Sequence, residues 1–90
     1  MIDIHITDKA ITLTGHAQYA PTGRDIVCAG ISALHYALTA YLGQFNAYNI
    51  DIKNLSSEQK GAVGSFVLGA EGIAETYPDC VAVRDDRAKP

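Results

Sequence analysis

Two residue types that act together in nucleophilic catalysis stand close in the first third of the chain. Cys28 follows His16 by 12 positions. A thiolate is the reactive form of cysteine, and a nearby histidine can accept the thiol proton. The pair therefore predicts a Cys–His dyad. The same two residues are also compatible with a small buried thiol and a polar residue at a strand end.

The elements before the cysteine are predicted from alternation. Ile2, Ile4 and Ile6 alternate with polar residues, which indicates a half-buried strand. Ile11 and Leu13 repeat the pattern and indicate a second strand that ends near Gly15 and His16. We expect the two strands to form an antiparallel hairpin that carries His16 at its end.

A helix is predicted to carry the cysteine. Asp25 has the side chain of an N-cap, and the helix should run from about Ile26 to Leu42 and end at Gly43. Cys28 would then lie in the first turn, where unpaired N–H groups and the helix dipole favour a negatively charged thiolate. Asp25 can serve as the cap, or it can orient His16, and the sequence leaves both roles open.

Three stripes follow the predicted helix at 100° per residue. The expected core stripe consists of Val27, Ile31, Leu34, Leu38 and Tyr41. A stripe of small residues consists of Gly30, Ala33, Ala37 and Ala40. A polar stripe consists of Cys28, Ser32, His35 and Thr39. No charge solvates the small stripe, so we expect a second copy of the chain to cover it. His35 is about 10 Å from Cys28 along the axis and is interpreted as a packed or surface histidine, rather than a second base.

The second half of the chain predicts a strand, a helix and a final strand. Tyr48, Ile50 and Ile52 alternate with polar residues, and Ser56 with Gln59 forms a capping box before a helix that ends at Pro78. Four glycines in that helix suggest close approach to other backbone: Gly61, Gly64, Gly69 and Gly72. Val81 and Val83 predict the last strand, and the polar residues 85–90 are expected to fray.

These elements predict one α+β domain over residues 1–90. We expect a small mixed or antiparallel sheet with two helices packed on one face. Cys80 opens the last strand and is interpreted as an inert thiol.

Composition narrows the classes of partner and the compartment. The net charge is −3 with no basic cluster, which argues against a nucleic-acid surface. The uncharged stretch from Ile26 to Leu42 has the lower-limit length of a membrane span, yet it holds several polar side chains and favours a buried helix. The first residues do not predict a signal peptide, and the two cysteines do not predict a disulfide framework, so we expect reduced thiols in the cytoplasm. Cysteines and histidines are too scattered for a zinc site, and no cofactor is expected.

The motif around the predicted dyad resembles that of a known family. Gly15-His16-Ala17, and after the loop Arg24-Asp25-Ile26-Val27-Cys28, are similar in order and spacing to the signature of the ribosomal-processing cysteine proteases. Ile73 and the pair Tyr77-Pro78 resemble the closing helix of that family and its stop. The similarity is strong from Gly15 to Leu34 and looser elsewhere.

The resemblance implies a thiol protease of bacterial ribosome biogenesis, a homodimeric hydrolase that removes a short N-terminal extension from a protein of the large subunit. It implies Cys28 as nucleophile and His16 as base, with Asp25 and Ser32 in support. The loop from Ala17 to Arg24, with Gly23 and Arg24 before the helix, would admit the substrate.

The identity of the client stays open at this point. Some phage structural proteins carry similar cleavage sites, so a peptide segment of a ribosomal protein or of a phage structural protein is the expected partner. The competing hypothesis is a non-catalytic accessory protein that holds an extended peptide during ribosome or capsid assembly. The presence of both Cys28 and His16 favours the protease.

Overall fold

The computed structural model describes residues 1–16 and 25–88. Its first two strands, β1 (Ile2–Ile6) and β2 (Ala10–Gly15), form the predicted antiparallel hairpin, in which Ile2 lies opposite Gly15. The tight turn between them is fixed by Thr7, whose N–H donates to the Ala10 carbonyl at 2.9 Å. The predicted loop over residues 17–24 lies outside the described residues, and with it Gly23 and Arg24.

The sheet is mixed and has the strand order β3-β2-β1-β4. Strand β3 (Asn49–Asp51) runs antiparallel to β2, and β4 (Val81–Asp85) runs parallel to β1. Strand β3 has only three residues and pairs with Ala10–Thr12, so it covers half of β2. The end of β2 that leads to His16 is therefore left at an edge of the sheet.

Two helices cover one face of this sheet. Helix α1 (Ile26–Tyr41) begins at the Asp25 cap, and α2 (Ser57–Thr76) begins at the predicted capping box of Ser56 and Gln59. Helix α1 ends at Tyr41 with Leu42 as its C-cap, and the next residue, Gly43, has a φ of +70° that suits a residue without a Cβ. No helix in the described ranges combines the length and apolar character needed to cross a lipid bilayer.

One hydrophobic core joins the sheet to both helices. The strands contribute isoleucines, Leu13 and Val81, and the helices contribute an apolar stripe each. The fully or nearly fully buried members include Ile4, Ile6, Ile11, Ile50, Val27, Val81, Phe66 and Ala70. The α+β class with two helices on one face of the sheet is thus confirmed. On the opposite face, His5 contacts the Asp86 carboxylate at 2.7 Å, in an exposed cluster with Arg84.

The buried face of α1 is rotated from the predicted one. His35 and Thr39 are buried, whereas Tyr41 is 54% exposed. The reason is that the chain after α1 folds back over the polar flank, where the Asn46 N–H donates to Thr39 Oγ1 at 3.1 Å and the Ala47 carbonyl accepts from His35. Periodicity alone places His35 and Thr39 on a polar stripe beside the core and does not show that they are buried.

The prediction that the glycines of α2 lie close to other backbone was wrong at all four positions. A Cβ at Gly61, Gly64 or Gly72 would meet open space, and a Cβ at Gly69 would meet the Leu34 side chain rather than backbone. The close approach of the helices occurs instead at Gly30 of α1, where a Cβ would be 3.2 Å from Ile73 Cδ1. Gly30 therefore belongs to the α1–α2 contact and not to an outward stripe.

The polar segment after β4 is held by hydrogen bonds up to Ala88, although the sequence predicts that it frays. The Asp86 N–H donates to the Ile6 carbonyl at 2.7 Å, and the Ala88 N–H donates to the Asp8 carboxylate at 3.1 Å. The Arg87 guanidinium donates two hydrogen bonds to the Asp85 carboxylate, at 2.9 and 2.7 Å, and these bonds raise the pKa of Arg87. Tertiary hydrogen bonds thus override the disordered character of the local sequence.

Candidate functional site

A cleft of about 470 Å³ lies between the uncovered end of β2 and the first half of α1. Its volume is in the range of ordinary ligand sites. Among the described residues, those that line it are Ile2, Leu13, Thr14, Gly15, His16, Cys28, Ile31, Ser32, His35 and Tyr48. His16, which follows β2, and Cys28, in α1, thus line one cavity.

Gly15 determines how His16 leaves the strand. It has a φ of +86°, and a Cβ at this position would lie 2.0 Å from the Met1 carbonyl oxygen. Only glycine fits both conditions, because a left-handed backbone is costly for residues with a Cβ and the space is already filled. The chain therefore turns out of the regular strand at Gly15, and the exposed His16 lines the cleft at that turn.

The N-terminus of α1 positions Cys28. Asp25 has an extended backbone, and its Oδ1 accepts from the Cys28 N–H at 2.8 Å, while its carbonyl accepts from the Ala29 N–H at 3.0 Å. The capping role left open by the sequence is therefore present. Cys28 is half-buried, with one side packed on the core and the other lining the cleft.

The far end of the cleft is closed by an aromatic pair. His35 Nε2 donates to the Ala47 carbonyl, and the His35 ring stacks on Tyr48 with a centroid separation of 4.8 Å and an interplanar angle of 18°. His35 is thus a packed histidine, as predicted. Tyr48 is 60% exposed, so its ring forms an accessible wall of the cleft.

The other predicted site residues have separate positions. Ser32 is exposed and lines the cleft one helical turn after Cys28. Cys80 is half-buried before β4, where its carbonyl accepts from the Ile2 N–H at 2.8 Å, and its side chain packs against the core. Within residues 1–16 and 25–88, no group of three His, Cys, Asp or Glu side chains is arranged to hold a metal ion.

Sequence reasoning missed several residues of the cleft. The sequence predicts Gly15 only as a strand end and part of the motif, although a glycine before a histidine at a strand end also signals a backbone turn. It predicts Tyr48 only as a strand residue, because the contact of Tyr48 with His35 depends on how the chain returns after α1. Ile2, Leu13 and Ile31 were identified as core residues, and they also form the apolar floor of the cleft.

Comparison with known proteins gives consistent matches over almost the whole chain. Residues 1–82 match the sequence model of a family described as cysteine protease Prp. The ribosomal processing cysteine protease Prp of Mycoplasma genitalium is 28% identical, in an alignment that covers 96% of this chain and 97% of that protein. The protein of the same name from Mycoplasma pneumoniae is 24% identical, in an alignment that covers 97% of each chain.

Solved structures share the fold. The crystal structure of an essential ribosomal processing protease Prp from S. aureus, in complex with a covalently linked product peptide, superposes with a TM-score of 0.81 at 22% identity. The match covers 96% of this chain and 100% of that chain. The S. aureus protease in complex with a substrate peptide gives a TM-score of 0.74 at 21% identity, with the same coverage.

Proposed function

Because the chain belongs to the cysteine protease Prp family, we propose that it is a cysteine endopeptidase with Cys28 as its nucleophile and His16 as its base. The observation that carries the proposal is that His16, which directly follows β2, and Cys28, in the first turn of α1, line one cleft. The apolar floor and the aromatic wall of this cleft suit a peptide substrate. The S. aureus structures with peptides support the same class of ligand.

The proposed reaction proceeds through an acyl-enzyme. His16 accepts the thiol proton as Cys28 Sγ attacks the peptide carbonyl, and the tetrahedral intermediate collapses when His16 returns the proton to the departing amine. The C–N bond breaks and a thioester remains on Cys28. A water molecule, deprotonated by His16, then attacks the thioester and releases the acid, and the proton returns to Sγ.

Backbone N–H groups at the start of α1 are the proposed donors to the oxyanion. The Cys28 N–H is already bonded to Asp25. The two preceding N–H groups, of Ile26 and Val27, have no acceptor within the described part of the chain. Unpaired N–H groups at a helix start stabilise a developing negative charge, which is the role of an oxyanion hole. In this proposal Ser32 contacts the substrate, and Gly23 and Arg24 belong to the loop that admits it.

The proposed substrate is the short N-terminal extension of a large-subunit ribosomal protein in the cytoplasm, or a phage structural protein with a similar site. Purified protein should be incubated with peptides that span each cleavage site, and the products identified by mass spectrometry. We expect one internal cut that disappears in His16→Ala, while the melting temperature is unchanged because the side chain is exposed. Binding of both peptides without any cut would instead favour an accessory peptide-binding protein.

A homodimer is the second part of the proposal. The outer face of α1 carries no charge and consists of Ile26, Ala29, Ala33, Tyr36, Ala37, Ala40 and Tyr41, all exposed. Phe45, which is 60% exposed, extends this face through an edge-to-face contact with Tyr36 at 4.9 Å. A contiguous uncharged surface of this kind is typical of a protein interface. Burial of this outer face in a second copy would leave the cleft accessible on the other flank of α1.

A further inference from the structure

The edge of β2 has free backbone groups beside the cleft. The Leu13 N–H donates to the Tyr48 carbonyl at 2.9 Å, so Leu13 directs its backbone groups away from β1. Alternate residues of a strand direct these groups to the same edge, so the Gly15 N–H lies on this edge too. Within residues 1–16 and 25–88, no group donates to the Leu13 carbonyl and none accepts from the Gly15 N–H.

Strand β3 stops before it can satisfy these groups. Thr12, which pairs with Asn49, is the β2 residue nearest the cleft that has an antiparallel partner on β3. One further bond joins the Leu13 N–H to the Tyr48 carbonyl, and the chain before Tyr48 bends away from β2. At Asn46 the backbone has a φ of +64° and its N–H donates to Thr39, so this segment follows α1 rather than β2. Among residues 1–16 and 25–88, nothing supplies the second half of the third strand, at the place where the cleft begins.

We propose that the substrate itself supplies this missing strand segment, with its extended backbone added to the edge of β2 at Leu13 and Gly15. The inference rests on the proposed peptidase function and adds how the substrate is held. The Leu13 carbonyl and the Gly15 N–H flank one residue, Thr14, and together can bind one N–H and one carbonyl of an extended peptide. A peptide on this edge passes His16, the next residue of the chain, and faces Cys28 across the cleft.

Strand addition would make the site selective for an extended, unstructured chain segment. Main-chain hydrogen bonds supply affinity that does not depend on the side chains of the peptide, and the cleft walls contact every second side chain of the peptide. A folded helix or a tight turn has no free row of backbone groups to offer the edge. The fit therefore restricts cleavage to segments such as a flexible N-terminal extension.

The test uses peptides in which single backbone amides are replaced by esters, since an ester lacks the N–H and retains the side chain. The affinity of each peptide for Cys28→Ala protein is measured by fluorescence anisotropy, so that the result does not depend on turnover. We expect one position to weaken binding about 3- to 10-fold, with its immediate neighbours near the all-amide value. Affinities that stay within about twofold at every position would overturn strand addition.

A matched change in the protein removes the donor on the other side. Residues 1–27, synthesised with glycolic acid in place of Gly15, can be ligated at Cys28 to residues 28–90. Desulfurisation then converts both cysteines to alanine, which removes turnover, and the all-amide protein prepared in the same way is the control. The ester should weaken peptide binding about 3- to 10-fold, and unchanged affinity would contradict the proposal. Failure of the peptidase function would appear separately, as absent cleavage by the wild-type protein with normal peptide affinity.

Discussion

Replacement of Gly15 by alanine should damage both the fold and the site. Its φ of +86° is costly for a residue with a Cβ, by about 1–2 kcal/mol. The new Cβ would also lie 2.0 Å from the Met1 carbonyl oxygen. The Met1 carbonyl shares a peptide group with the Ile2 N–H, which donates to the Cys80 carbonyl, so a displacement that relieves the clash disturbs that bond as well. With about 1–2 kcal/mol for this overpacking, the total loss of unfolding free energy is about 2–4 kcal/mol.

The assay is thermal unfolding together with peptide cleavage. A loss of about 2–4 kcal/mol corresponds to a fall in Tm of roughly 10–25 °C for a domain of this size, and His16 should shift enough to reduce turnover below the unfolding transition. Gly61→Ala is the matched control, because its new Cβ meets open space in a helix. This substitution should raise the free energy of unfolding by about 1 kcal/mol at most. A Gly15→Ala protein with wild-type Tm and turnover would refute this account of the strand end.

Three further predictions concern the cap, the loop and the outer face of α1. Asp25→Ala should lower the free energy of unfolding by about 1 kcal/mol, because it removes the N-cap of α1, whereas Asp25→Asn should retain the cap. A loss of turnover in Asp25→Asn at unchanged Tm would reveal a second role for the carboxylate charge, beyond capping. Gly23→Val should reduce turnover far more than Tm if the loop admits substrate, and equal losses would contradict gating. Sedimentation of the wild-type protein at micromolar concentration should show a dimer. Ala33→Glu should dissociate this dimer, whereas the control Leu68→Glu, at an exposed position of α2, should leave it intact. A wild-type monomer near 9.6 kDa would exclude the proposed dimer.

The elements of the fold were predictable because their signals are local. The alternating isoleucines of β1 and the caps at Asp25 and Ser56 each determine structure within a few residues, and the structure confirms them. The burial of His35 was not predictable from helical periodicity. It depends on the return of the chain at Ala47, and contacts between distant segments leave no periodic pattern in the helix.

The same distinction applies to the site. Cys28 and His16 were identified from a motif whose spacing is local, and the structure brings both to one cleft. The free edge of β2 could not be predicted, because it results from the early end of β3, and the alternation around Tyr48 indicated a longer strand than the three residues observed. Where a strand stops depends on its competing partners, here Thr39 and α1.

The nucleophile is tested most directly by comparing the two cysteines of the chain. Peptide cleavage by wild type, Cys28→Ala and Cys80→Ser should be followed by mass spectrometry at equal protein concentration. The account predicts cleavage at wild-type rate by Cys80→Ser, whose thiol packs against the core, and none by Cys28→Ala, with an unchanged Tm for the latter. Cleavage at a comparable rate by folded Cys28→Ala would contradict the assignment of Cys28 as nucleophile.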